Sequence, residues 1–164
     1  VKHKRIMGID LGEKNVGVAV SDELGLTAQG LTCLKRTEES KFLDDLCRLV
    51  REKAVKLIVL GLPKKMSGEI GSKAREAMEF AEKLRGTSGI EVSLWDERLT
   101  TVQAERSMLE GDLSRKKRKK RRDIIAAQLI LQSFLDSQRQ CQSSSEKTES
   151  KVSRQKKTER AQIC

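Results

Sequence analysis

The sequence predicts an α/β fold: a mixed five-stranded sheet, three antiparallel strands followed by parallel βα units, with helices on both faces. Three observations predict it. Short apolar stretches joined by tight turns fill residues 5–36, as in an antiparallel meander. The apolar spacing then changes to a period near 3.6. From there helical stretches alternate with apolar runs, the order that right-handed βα crossovers need. A length of 164 residues suits a single domain with a sizeable core.

Arg5 to Leu11 reads as a first strand ending near an acid, Asp10. Gly12-Glu13-Lys14-Asn15 is a tight turn, and Val16 to Ser21 is the second strand of a hairpin. After a break at Gly25, Leu26 to Arg36 reads as a third strand. Phe42, Leu43, Leu46, Leu49 and Val50 mark one face of a helix from about Glu39 to Lys53. Leu57-Ile58-Val59-Leu60 is an unbroken apolar run, as in a central strand covered on both faces, and Gly61-Leu62-Pro63 stops it. Lys64 to Gly71 is a polar loop. Ala74, Ala77, Met78, Ala81 and Leu84 mark a second helix ending near Gly86, and Glu91 to Trp95 is a further strand. A third helix is expected from about Thr101 to Leu109, capped by Thr100 or Thr101. Leu113 to Arg122 reads as a mobile basic loop, and Ile124, Ala127, Leu131 and Leu135 mark a last helix. After Asp136 apolar residues almost vanish. Residues 1–136 are therefore expected to form one folded domain, and 137–164 a basic, disordered tail.

Composition excludes several chemistries. The one His, His3, lies in the first few residues, which argues against Ser-His-Asp and Cys-His catalysis. Cys33, Cys47, Cys141 and Cys164 show no CxxC spacing, so zinc is not expected, and they read as free thiols of a reducing cytosol. Any metal site must then use carboxylates, whose hard oxygens favour Mg²⁺ or Mn²⁺. With Phe42, Phe80, Trp95 and Phe134 as the only aromatics, a base-stacking platform has too few rings. No apolar run approaches the ~20 residues that span a bilayer. No signal peptide opens the sequence, so a cytoplasmic protein without a membrane partner is expected.

The formal charge is +10, from 34 Lys and Arg against 24 Asp and Glu, and it is concentrated. Arg115, Lys116, Lys117, Arg118, Lys119, Lys120, Arg121 and Arg122 are consecutive, and without them the chain is nearly neutral. Such a run is often only a solvated segment. Here it leads directly into Asp123, where cations would hold phosphates that a carboxylate repels.

Three acids could converge: Asp10 at the end of the first strand, Glu97 just past the last, and Asp123 opening the final helix. Phosphodiester hydrolysis by two metals needs several carboxylates around ions roughly 4 Å apart. Each acid also has an ordinary reading: an Asx-turn at Asp10, an ion pair of Glu97 with Arg98, and a helix N-cap at Asp123. Their joint placement favours the functional one. Gly12 and Gly17 do not make a phosphate loop, because GxxxxGK[ST] is missing and the turn joins two strands.

Several stretches resemble the YqgF/RuvX family of the ribonuclease H-like superfamily. They are Gly8-Ile9-Asp10-Leu11-Gly12 with Val16 to Asp22, Leu24 to Ala28, and Val59-Leu60-Gly61-Leu62-Pro63 with Met66-Ser67-Gly68. Further on come Trp95-Asp96-Glu97-Arg98-Leu99-Thr100-Thr101, Ser114 to Lys119, and Asp123 to Ala127 with Leu129 to Gln132. The family is described as pre-16S ribosomal RNA nucleases and as Holliday junction resolvases. The resemblance implies a ribonuclease H-like fold and metal-dependent hydrolysis of a nucleic-acid backbone, with Asp10, Glu97 and Asp123 as catalytic and metal-holding acids. Asp10 would bridge the metals, and 115–122 with Arg98 would contact nucleic acid. In many such nucleases a second acid ends the strand beside the first, whereas here that strand ends Gly61-Leu62-Pro63 and Glu97 serves from the next strand.

The expected function is an endonuclease processing the 5′ end of pre-16S ribosomal RNA in ribosome biogenesis. A resolvase of four-way DNA junctions and a non-catalytic RNA-binding assembly factor are the alternatives. Structured RNA or branched DNA is the expected partner, and the protein a monomer or homodimer.

Overall fold

The computed structural model describes residues 5–99 and 115–161, with side-chain surroundings for 5–98 and 117–141. Five strands, β1 (Arg5–Leu11), β2 (Asn15–Ser21), β3 (Ala28–Lys35), β4 (Val55–Leu62) and β5 (Glu91–Asp96), form one sheet in the order β3-β2-β1-β4-β5. β1, β2 and β3 pair antiparallel, and β4 joins β1 and β5 in parallel. The helices are α1 (Glu39–Glu52), α2 (Ser72–Ser88) and α3 (Arg115–Ala161), with a 3₁₀ turn over Glu97–Leu99. The mixed five-stranded sheet expected from the sequence is the one found.

Strand alternation sorts side chains onto two faces. Met7, Ile9, Val16, Val18, Ile58, Leu60 and Val92 pack with Phe42, Leu46 and Val50 of α1 and Ala77, Phe80 and Leu84 of α2. Phe42 and Phe80 stack with centroids 5.6 Å apart. The opposite face carries Ala19, Ala28 and Val59 against Ala127, Ile130, Leu131, Phe134 and Leu135 of α3. Trp95 meets the edge of Phe134 at 5.5 Å and donates from its indole nitrogen to Ser133 Oγ at 3.3 Å. Gln132 Oε1 accepts from the Ala28 backbone N–H at 2.8 Å, and Gln128 Nε2 donates to the Ala28 carbonyl at 3.0 Å. These amides tie α3 to the edge strand β3.

Glycines set how closely α3 approaches the sheet. A Cβ on Gly17 would stand 1.8 Å from the Asp123 carbonyl oxygen, and one on Gly8 2.6 Å from Leu131 Cβ. The helix backbone therefore lies almost on the strands, with Asp123 directly above Gly17.

Several boundaries differ from expectation, for local reasons. β3 begins at Ala28 because Asp22 Oδ1 accepts from the N–H groups of Leu26 (2.7 Å) and Thr27 (3.3 Å), closing a turn there. β4 continues through Gly61 and Leu62, whose partners are Trp95 and Asp96. α2 passes through Gly86 and stops at Gly89, which takes the left-handed conformation at φ 67°. The largest correction concerns the basic run. Arg115 to Arg122 is not a loop but the first turns of α3. Lys and Arg are good helix formers, and their mutual repulsion is a weaker effect when each head group reaches water. Lys117 to Arg122 are all exposed. Asp123 consequently lies inside the helix and is not its N-cap.

The chain is helical to Ala161, past the boundary proposed at residue 136. Nothing between residues 115 and 161 is Gly or Pro, so no residue breaks the helix. Leu135 is buried, while 138–141 are exposed. The helix expected from Thr101 to Leu109, and residues His3 and Cys164, lie outside the described residues.

Candidate functional site

The site lies at the ends of β1, β4 and β5. Asp10 is the penultimate residue of β1, on the α3 side of the sheet with Ile6 and Gly8. Its cross-strand partner is Gly17, and Gly17 pairs onward with Cys33 in β3. Cys33, Gly17 and Asp10 therefore form a row across three strands, with Asp123 of α3 lying over its centre.

Glu97 enters this face from β5. A Cβ on Gly61 would come within 2.6 Å of Glu97 Oε1 and 2.7 Å of Ile130 Cδ1. The carboxylate thus fills the space that a side chain at 61 would take. Gly61 stands one residue beyond the Ile9–Leu60 pair, beside Asp10. Glu97 reaches across from one strand further along because the intervening strand has no side chain there.

Burial, with the charges of Asp10 and then Asp96, pushes the Glu97 carboxyl up to about 7. Two carboxylates that cannot both ionise cheaply mark a place for a cation. Their oxygens are hard donors suited to Mg²⁺ or Mn²⁺, so Asp10 and Glu97 fit such an ion. Asp123 stands apart from this pair. Its Oδ2 lies 3.9 Å from Cys33 Sγ, and Asn15 also hydrogen-bonds it. Burial raises its pKa, while Lys119 and Arg122 oppose that rise. Among the described residues, no three His, Cys, Asp or Glu side chains stand close enough to hold an ion between them. The structure brings together Asp10 and Glu97, and leaves Asp123 one strand away.

The cations divide. Lys119 and Arg122 act on Asp123, and Lys120 acts on Cys33. Lys117, Arg118 and Arg121 are exposed further along these turns, while Arg115 and Lys116 are placed by backbone alone. Arg98 does not pair with Glu97. Its Nε and Nη2 donate to Asp96 at 3.0 and 2.7 Å, and its backbone N–H to Asp96 Oδ1 at 3.0 Å. Lys64 Nζ reaches Asp96 Oδ2 at 3.4 Å. These contacts hold the Asp96 carboxyl far below the usual range.

Cys33, Lys64 and Asp96 show nothing in the sequence that places them beside the candidate acids, and Gly61 reads there only as the end of a strand. Only Gly61 carried a signal, since a Gly ending an apolar central strand often marks close approach by another group. No helix among the described residues is long and apolar enough to cross a membrane.

A family model described as RuvX, Holliday junction resolvase, matches residues 4–137. The chain belongs to the RuvX family. A relative from Clostridioides difficile named "Putative pre-16S rRNA nuclease" is 52% identical over 132 residues, covering 80% of this chain and 94% of its own length. One of the same name from Clostridium beijerinckii is also 52% identical over 132 residues, covering 80% of this chain and 96% of its own. Among solved structures, Thermus thermophilus RuvC in complex with a Holliday junction substrate superposes with a TM-score of 0.53 at 14% identity. It covers 83% of this chain and 96% of that one. That likeness shows a shared fold for a RuvX member and nothing finer.

Proposed function

We propose that this RuvX protein is a divalent-metal-dependent endonuclease whose substrate is structured RNA, the 5′ side of precursor 16S ribosomal RNA. The observation that carries the proposal is the Asp10–Glu97 pair, held beside a helix that opens with eight cations. The names of relatives at about half identity support the RNA substrate.

Asp10 and Glu97 would hold Mg²⁺ or Mn²⁺, and Asp123 would join them by exchanging Cys33 for the ion. A bound ion of this kind supplies a nucleophilic water at neutral pH and stabilises charge on the phosphoryl oxygens. β1 and the 3₁₀ turn after β5 fix the two carboxylates on rigid supports. The α3 side chains Lys119, Lys120 and Arg122 would grip phosphates next to the acids, where carboxylates alone repel the backbone. These contacts give affinity and position but do not read sequence. The proposed setting is the cytoplasm.

The family description favours one second reading, cleavage of four-way DNA junctions. Paired symmetric cuts need a dimer. Purified protein is incubated in Mn²⁺ with precursor ribosomal RNA and, in parallel, with a synthetic four-way junction. Faster cleavage of the RNA supports the proposal. Cleavage of the junction alone, by a dimer, supports the resolvase. Cleavage of neither, with binding retained, supports a non-catalytic RNA-binding assembly factor.

A further inference from the structure

Lys64, Asp96 and Arg98 form a compact ion group at the carboxyl ends of β4 and β5. Leu62 and Asp96 are register partners, so Lys64 and Arg98 each lie two residues beyond the last pair of these strands. Alternation directs Trp95 to the α3 face, so Asp96 points to the face of α1 and α2. Glu97, filling the gap at Gly61, lies on the α3 side. The ion group and the basic turns of α3 therefore stand on opposite faces of the sheet edge that carries Asp10 and Glu97.

The group is built to hold its cations still. Asp96 accepts from Arg98 at Nε, Nη2 and the backbone N–H, and its side chain is 16% exposed. Gly68, at φ 86°, brings the 63–71 loop over the guanidinium. A Cβ there would lie 3.5 Å from Arg98 Nη1. One carboxylate serves two cations, which leaves the group with a surplus positive charge. Lys64 reaches Asp96 through one ammonium proton, so its other two, like the remaining N–H groups of Nη1 and Nη2, are not used by Asp96. Long cationic side chains on a surface normally wander. Here both are oriented by one acid, and the fork geometry of Arg suits a phosphate.

We propose that Lys64 and Arg98 form a second phosphate-binding clamp, oriented by Asp96. It would hold the nucleic-acid backbone on the far side of the Asp10–Glu97 pair from α3. The substrate backbone then crosses the sheet edge from one face to the other, gripped on both sides of the carboxylates. Asp96 is a positioning residue and not a metal ligand. This inference rests on the nuclease reading given above.

The test is fluorescence anisotropy of a labelled RNA hairpin with the full chain in EDTA, over a salt series. Lys64→Gln and Arg98→Gln should each reduce the log–log salt slope by about 0.7–0.9, the value of one phosphate contact. Lys64→Arg should restore the slope. Asp96→Asn is the discriminating variant. It makes the protein more positive, so a simple charge effect tightens binding. Loss of orientation instead weakens it about tenfold, the size of a lost charge-assisted hydrogen bond. A tether that only anchors the 63–71 loop lowers the Tm of Asp96→Asn and leaves both slopes unchanged. Unchanged slopes, or tighter binding by Asp96→Asn, overturn the clamp. Failure of the unmutated protein to bind the hairpin overturns the RNA-substrate reading and the clamp with it.

Discussion

Gly61 and Gly17 decide the site by what they lack. Replacing Gly61 with Ala puts a methyl 2.6 Å from Glu97 Oε1, a side-chain atom that can move. Replacing Gly17 with Ala puts one 1.8 Å from the Asp123 carbonyl oxygen, which can move only with the helix. Overpacking of this kind costs about 1–3 kcal/mol. Urea unfolding should therefore show Gly61→Ala near the low end and Gly17→Ala at or above the high end. Gly61→Ala should also slow cleavage well beyond its effect on stability, because Glu97 is displaced.

Glu97 makes a second prediction at the same scale. Its carboxyl is raised from the ordinary value near 4.5 to about 7 by burial and by Asp10 and Asp96. The folded state thus holds a proton there that the unfolded chain releases earlier. Stability of the metal-free protein is favoured below the ordinary carboxylate range and declines as pH rises through about 7. Thermal unfolding in EDTA across that window should show the decline, and Glu97→Gln should flatten it. Added Mn²⁺ should oppose it by neutralising the pair.

At the scale of elements, the opening turns of α3 are electrostatically unfavourable. No acid stands in the first turn, and eight cations crowd the positive end of a helix dipole. A bound polyanion relieves both. Amide hydrogen exchange across residues 115–122 should therefore slow when an RNA hairpin is added. Unchanged exchange would count against these turns as the phosphate grip.

The sequence made most elements legible and blurred this one. β1, the β1–β2 hairpin and α1 could be read because apolar spacing matches the period of each. The eight cations have no apolar spacing at all, so the stretch reads as a basic loop. The helix there is a continuation upstream from Ile124, whose packing on Gly17 and Gly30 fixes its direction. Asp10 and Glu97 could be picked out as acids at strand ends. Their closeness could not, because it depends on β4 lying between them with glycine at 61. The turn of Asp123 toward Cys33 depends on a third strand and left no local trace.

For the whole molecule, the parts agree on one edge. The carboxyl ends of β1 and β5 carry the acids with Gly61 of β4 between them, α3 brings its cations over one face, and the Lys64–Asp96–Arg98 ion group stands on the other. Ligand sites in α/β sheets gather at such ends. Calorimetric titration should show stoichiometric Mn²⁺ binding that Asp10→Asn abolishes, whereas a cluster of structural caps would show none.

If Asp10 and Glu97 hold the metal for cleavage, neither can be replaced without losing the reaction. The direct measurement is the single-turnover rate on precursor 16S ribosomal RNA in Mn²⁺ for the protein, Asp10→Asn and Glu97→Gln, each purified to the same standard. Both substitutions should reduce the rate by at least about a thousandfold, the scale of a lost group in a catalytic unit. Affinity for the RNA should stay within about threefold, since phosphate contacts dominate it. Cleavage by Asp10→Asn at the rate of the unmutated protein would contradict the role given to Asp10.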